Sequence, residues 1–208
     1  MAAPIGQPFM SNSPDSRTDS AFVSRGLLSD AQFAELLVDW EQRVQEAVDS
    51  SQPEPWALVG IKRRGAILAR RVFNALKKKA GTPVLYGELD ISLYRDDYHL
   101  QTINPRVQGT EIPFAIDGVR VLLVDDVLFT GRTVRAAIDQ LLDFGRPRVI
   151  QLAVLIDRGH RELPIAGDIV GYSVTTERDD RVKVQLHELD GRASVPVSYT
   201  HLTLPTKA

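Results

Sequence analysis

The sequence predicts a single α/β domain in which a mainly parallel sheet is covered by helices on both faces. Three observations carry that prediction. The apolar runs "WALVGI" (56–61), "VRVLLVD" (119–125) and "RVIQLAVLI" (148–156) have the composition of strands buried on both faces. Segments with helical periodicity alternate with them, as parallel crossovers require. The 208 residues, 43% hydrophobic and 25% charged, suit one domain with its own core.

The elements follow in order. Residues 1–28, rich in Ser, Pro, Asp and Gly and without periodicity, read as a mobile segment. Ser29 and Gln32 form a capping box before a stripe of Phe33, Leu36, Leu37, Trp40, Val44 and Val48, which predicts a helix. Strand 56–61 runs through the loop "KRRG" into a helix from about Ala66 to Lys79. "VLYGELDISLY" (84–94) reads as a long strand or strand pair. The polar, nonperiodic segment 95–113 is long for a compact domain and is expected to be a lid. Strand 119–125, a helix from about Arg132 to Phe144 and strand 148–156 complete a βαβ unit. "KVQLHEL" (183–189) alternates like an edge strand. The domain is expected to span 29–197; residues 198–208 have no evident place in the pattern and read as a tail of uncertain origin, outside the functional argument.

Composition narrows the chemistry. There is no cysteine, so disulfides, thiolate catalysis and Cys-based zinc sites are excluded, and four scattered histidines make a His-rich metal site a poor reading. The net charge of −2 means that any nucleic-acid contact must come from a local basic patch. No apolar run approaches the ~20 residues that span a bilayer, and the N-terminus lacks the layout of a secretory signal. The cytoplasm is the expected compartment, with no membrane partner.

The stretch "VLLVDDVLFTGRTV" (121–134) carries the function. Ligands of open α/β sheets bind beyond the carboxyl ends of the strands, where Asp125 and Asp126 are expected. The Thr130-Gly131-Arg132-Thr133 turn that follows offers backbone amides at a helix N-terminus, a cradle for phosphate. Carboxylates suit ribose hydroxyls or Mg²⁺. The two parts together point to a ligand with both vicinal hydroxyls and a phosphate. An acidic helix cap with no ligand would account for an isolated Asp-Asp, but poorly for the whole string.

These residues resemble the binding motif for phosphoribosyl pyrophosphate (PRPP) of type I phosphoribosyltransferases. The segments "LVGIKRRG", "LDISLYRDD", "VDDVLFTGRTVRAAIDQL", "GRPRVIQLAVLIDRGHRELPI" and "LHELDG" are similar, in order over roughly 56–191, to the PyrR family. That family comprises bifunctional pyrimidine-operon regulators that are also uracil phosphoribosyltransferases. The resemblance implies the type I fold with a flexible lid and the reaction uracil + PRPP → UMP + pyrophosphate, with Mg²⁺ held at Asp125 and Asp126. It implies catalytic roles for Asp125, Asp126 and Arg64, and PRPP or nucleotide contacts from Lys62, Arg64, Gly65, Arg95, Asp125, Asp126, Val127, Leu128, Phe129, Thr130, Gly131, Arg132 and Thr133. Arg64 would donate to the diphosphate and Gly65 would let backbone amides approach it; a solvated basic turn is an equal reading of Lys62 and the plainer one of Arg63. Asp157 and Arg158 would lie at the uracil pocket. Phe129 stands where some purine-salvage relatives carry an acidic residue, so no side chain of the motif is an obvious general base. A homodimer or higher homo-oligomer is expected.

The family also binds pyrimidine-operon leader RNA, promoted by UMP, on a basic face apart from the cleft. His160, Arg161, Arg178 and Lys183 are the matching candidates here. Two departures point to weak RNA binding: Asp39 and Glu41 in the first helix, and Glu177, Asp179 and Asp180 at the end of "GYSVTTERDD" (171–180), which add negative charge where the family has basic and polar contacts. Two other readings remain open at this point: an RNA-binding regulator without significant catalysis, and a phosphoribosyltransferase for another nucleobase such as orotate or a purine.

Overall fold

The structure, a computed structural model, describes residues 23–49, 55–78, 84–91 and 109–199. In chain order the elements are β1 (Val23–Gly26), α1 (Asp30–Asp49), β2 (Trp56–Ile61), α2 (Arg64–Lys78), β3 (Val84–Leu89), β4 (Arg120–Leu128), α3 (Arg132–Asp143), β5 (Val149–Asp157), β6 (Ile169–Ser173), β7 (Arg181–Val182), α4 (His187–Asp190) and β8 (Pro196–Tyr199).

Helix α1 begins as the capping box predicts. The Ser29 N–H donates to Gln32 Oε1 at 2.9 Å, and the Gln32 N–H donates to Ser29 Oγ at 3.2 Å. Its stripe of Phe33, Leu37, Trp40, Val44 and Val48 is buried. With Leu68, Ala69, Val72 and Leu76 of α2 it packs on Leu58, Leu122, Val124, Ala153 and Leu155 of the sheet. The alternate residues Ala57, Val59, Val121, Leu123, Leu152 and Val154 join a second core with Val134, Ala137 and Leu141 of α3. Because strand side chains alternate between faces, one apolar run feeds two cores, and this is why these strands read as continuous hydrophobic stretches.

The main sheet has five strands in the order β3-β2-β4-β5-β6, and every pairing is parallel. Strand β4 runs three residues beyond its expected end, with Val127 opposite Ile156 and Leu128 opposite Asp157. Asp125, opposite Val154, therefore lies inside the ladder and not at its edge. A backbone ladder bonds whatever side chain it carries, and here β5 is long enough to continue it. Strand β3 ends at Leu89, so 92–94 of the expected long strand, and 95–108 of the expected lid, lie outside the described residues. Residues 109–112 run back along β3, with Glu88 and Glu111 exchanging N–H···O bonds of 2.8 Å.

A second, antiparallel sheet in the order β1-β8-β7 departs most from the sequence reading. Strand β1 falls within the segment expected to be mobile, and Ser198 and Tyr199 of β8 fall within the tail expected to lie outside the domain; Val23 pairs with Tyr199 and Ser24 with Ser198. The expected edge strand 183–189 does not form. Val184, Gln185 and Leu186 are all buried, so the alternation is broken. Gln185 makes one isolated bridge to Ser194, and a turn of helix follows from His187. The Asp190 carboxylate accepts the Leu186 N–H at 3.0 Å, a local bond that favours the turn over a strand.

Gly60 fixes the sharpest connection. A Cβ there would lie 2.3 Å from Ala66 Cα and 2.7 Å from Ala66 N, so β2 can lead into α2 in two residues only without a side chain at 60. Gly60→Ala is expected to destabilise the fold by about 1–3 kcal/mol through overpacking. Gly109→Ala, whose Cβ meets nothing within 4 Å, is expected to stay within about 0.5 kcal/mol of wild type. Urea unfolding of both variants checks the contrast.

Candidate active site

Strand order creates the cleft. From β2 the chain crosses outward through α2 to β3, whereas from β4 it crosses the other way through α3 to β5. The connections after β2 and β4 diverge, and ligands of open α/β sheets occupy that switch point. Here it opens a cleft of about 740 Å³, reached by the turn after β2, by Asp125 through Val134, and by Arg158, Glu162, Val182 and Lys183.

The wall from β2 is built by close packing. A Cβ on Gly65 would lie 2.4 Å from Val124 O and 2.9 Å from Asp125 Cα. The missing side chain lets α2 start in contact with β4, which sets Arg64 across from the carboxylates. Gly65 itself is buried and does not line the cleft, so its effect on the site is through packing. Arg64 Nη2 donates to both carboxylate oxygens of Asp190, at 2.8 and 3.1 Å. Burial alone would push the Asp190 carboxyl up; the Leu186 N–H and Arg64 outweigh it and hold it below the usual carboxylate range. Lys62 Nζ donates to Gly109 O at 2.8 Å and lies 3.5 Å from Glu88. The Lys62–Arg63 peptide is cis.

The other wall carries the acids and the turn. Asp125 is 5% exposed, and its Oδ1 accepts the Asp126 N–H at 2.9 Å. Burial pushes the Asp126 carboxyl up against the lowering influence of Asp125 and the Arg64 cation. Gly131 caps α3 at φ 92°, a conformation that favours glycine, and the Arg132 N–H donates to Thr130 Oγ1 at 3.3 Å. The first turn of α3 contains no acidic residue, so the positive end of the helix is left to an incoming anion. Arg132 pairs with Glu162 at 2.7 Å, and Glu162 also pairs with Arg178. These cations hold the Glu162 carboxyl below its ordinary value, Arg132 foremost.

Beyond the turn, the Arg158 guanidinium lies 4.0 Å from the centre of the Phe129 ring, and His160 meets that ring edge-on at 6.0 Å. Arg158 is buried, which pulls its guanidinium below the usual range, and Nη2 donates to Glu177 O and Arg178 O.

Most of the residues expected at the cleft are brought together there: Lys62, Arg64, Asp125 through Thr133, and Arg158. Arg95 lies outside the described residues. Asp157, expected at the base pocket, instead ion-pairs with Arg161 and accepts the Gly159 N–H at 2.9 Å. Arg161, expected on an RNA face, is a clamp. It donates to the carbonyls of Phe129 at 2.6 Å, Gly159 at 3.0 Å and Ile165 at 3.0 Å, and joins the ends of β4 and β5. Its donors are engaged by these carbonyls and by the Asp157 carboxylate, so little of it is left for phosphate. His160 Nε2 lies 2.6 Å from Thr176 O, and Lys183 lines the cleft because β7 leads into its rim. Of the four expected RNA residues, only Arg178 has a largely exposed side chain apart from the cleft, at 66%. Asp180, counted among the repelling acids, is 4% exposed and accepts the Glu177 N–H at 2.8 Å. Asp39 and Glu41 pair with Arg43 and Arg71. Glu162, Val182 and Asp190 were missed; the C-terminal Gly191 at φ 68° after Asp190 was the available signal for a short capped turn. Among the described residues no group of three or more His, Cys, Asp or Glu is placed to hold a metal.

The fold and cleft define a class, an α/β protein whose ligand cleft lies at the carboxyl ends of a parallel sheet, between paired carboxylates and a helix N-terminus. The phosphoribosyl transferase domain family matches residues 35–190. The bifunctional protein PyrR of Roseiflexus sp. is 61% identical over 135 residues, 65% of this chain and 74% of that one. The bifunctional protein PyrR of Pelotomaculum thermopropionicum is 54% identical over 143 residues, 69% and 79% of the two chains. In fold, the crystal structure of the HGPRT-ase of Leishmania tarentolae in complex with GMP aligns with a TM-score of 0.60 at 14% identity, over 84% of this chain and 95% of that one. The chain belongs to the phosphoribosyltransferase family and, within it, to the PyrR family.

The clamp has a measurable signature. Arg161→Ala leaves the Asp157 carboxylate and several loop carbonyls without their donor and is expected to cost about 1–3 kcal/mol. Arg178→Ala removes an exposed pair and is expected to cost less than about 1 kcal/mol. Equal unfolding midpoints for the two variants in guanidinium would show that Arg161 is not structural.

Proposed function

We propose that the chain transfers the phosphoribosyl group of PRPP to uracil, giving UMP and pyrophosphate, and that it also regulates pyrimidine-operon transcription through leader RNA. One observation carries the catalytic reading: Asp125, buried, and Asp126, half-buried, face a glycine-threonine turn at a helix N-terminus with no acid in its first turn, with Arg64 opposite. In this reading the turn 130–133 holds the 5′-phosphate by backbone amides and hydroxyls. The two carboxylates take the ribose hydroxyls, and Lys62 and Arg64 face the diphosphate. The base enters beside Phe129 and Arg158. With no general base in the motif, rate comes from holding the base nitrogen against C1 and from stabilising the departing diphosphate.

The donor set fits Mg²⁺. Two adjacent carboxylates, one pushed up by burial, are short of positive charge, and an ion that keeps its waters and takes substrate oxygens needs no larger protein cage. When bound there it would neutralise diphosphate oxygens. A homo-oligomer in the cytoplasm completes the proposal; the described residues contain no helix long and apolar enough to cross a membrane.

Purified protein with Mg²⁺ and PRPP is expected to release pyrophosphate with uracil and not with orotate, hypoxanthine or adenine. Asp125→Asn and Asp126→Asn are each expected to lower that rate by about 10²–10³, the usual effect of losing one electrostatic contact to the transition state, with melting unchanged. Wild-type rates in both would remove the assignment.

The regulatory reading is tested separately. With Asp180 buried and Asp39 and Glu41 paired, the acidic departures repel phosphate less than their number suggests. Titration with pyrimidine-operon leader RNA is expected to show selective, UMP-promoted binding that weakens with salt. Equal affinity for a scrambled RNA would leave the enzyme alone.

A further inference from the structure

Asp190 does not line the cleft; its hydrogen-bonded link to it is Arg64. It stands at the end of α4, a single helical turn 126 residues away in sequence, and its carboxylate is pinned by the Leu186 N–H at 3.0 Å. Both bonds from Arg64 to it originate on one nitrogen, Nη2. Arg64 Nε is buried and has no hydrogen-bond partner among the described residues. A guanidinium has five N–H donors in a rigid fork, so a carboxylate on one corner restrains its swing and leaves other donors available. The pair is largely sequestered, with side-chain exposures of 21% for Arg64 and 14% for Asp190. Screening by water and salt is therefore weaker than at an open surface.

We propose that Asp190 is a positioning residue: it holds the Arg64 guanidinium in the one orientation from which its remaining donors meet the diphosphate of PRPP. An arginine without this partner must be ordered by the ligand at the moment of binding, and that entropy is lost from affinity. The partner comes from α4, between β7 and β8, so the connection that joins these two strands serves the cleft through this ion pair, beside Val182 and Lys183, which line it directly. This inference rests on the reading of Arg64 as a diphosphate contact.

The test uses the full chain with Mg²⁺ and compares two ligands by calorimetry. Pyrophosphate reports the Arg64 end of the cleft, and UMP reports the turn at 130–133. Asp190→Asn keeps an acceptor for the Leu186 N–H and loses the charge. It is expected to weaken pyrophosphate about tenfold and raise KM for PRPP, with UMP affinity and melting unchanged. Arg64→Ala is expected to weaken pyrophosphate at least as much, and Asp190→Asn added to it is expected to change nothing further. If Asp190→Asn melts early, Asp190→Glu replaces it; the carboxylate then sits one methylene away, and a smaller but still selective loss is expected. Full pyrophosphate affinity in a folded Asp190 variant, or equal losses for both ligands, overturns the positioning role. Full pyrophosphate affinity in Arg64→Ala overturns the reading of Arg64 itself.

Discussion

The cleft depends on how closely the first turn of α2 approaches β4. Two glycines set that distance: Gly60 lets β2 turn directly into α2, and Gly65 lets α2 rest against the backbone at Val124 and Asp125. Any side chain at either position would overlap backbone atoms and force the helix and strand apart. Arg64 would then move off Asp126, and the buried carboxylate would lose the cation that partly offsets its desolvation. The electrostatics of the site thus rest on a steric condition in the backbone.

Charge around the cleft is arranged in layers. Asp125 and Asp126 lie deepest, Arg64 lies across from them, and Asp190 stands behind Arg64. At the other rim Glu162 gathers Arg132 and Arg178. Arg161 and Asp157 sit between the ends of β4 and β5 and face neither ligand nor solvent alone. Basic residues that resemble a recognition patch in one dimension are distributed among a clamp, a rim and a cleft in three.

How much of this was legible follows from the range of each interaction. The cores, the capping box at Ser29 and the turn at 130–133 are local patterns, so the sequence displays them directly. Buried strands on both sides of β4 made the parallel sheet readable, but the strand's extra length depends on β5 and does not show in residues 126–128. Asp180 looked like a surface acid because nothing local marks a carboxylate folded back onto the Glu177 amide. The surroundings of Arg161 and Lys183 were hidden for a different reason: Arg161 also reaches the Phe129 carbonyl, 32 residues back, and Lys183 stands at a cleft assembled from elements elsewhere in the chain. Strands β1 and β8 were missed because each is short and acquires its partner from the opposite end of the sequence.

That pairing of opposite ends bears on the order in which the molecule is assembled during synthesis. Strands β2 through β6 are complete once residue 173 has emerged, and they can form the main sheet without anything that follows. The small sheet must wait for β8 and then close a loop of almost the whole domain onto β1. Long closures are slow relative to local ones because their entropy is lost before any contact compensates for it. Arg64 is therefore in place early and its carboxylate partner arrives near the end, so a chain still on the ribosome holds a paired main sheet whose core still lacks Val184, Leu186 and Val195 and whose cleft is unfinished.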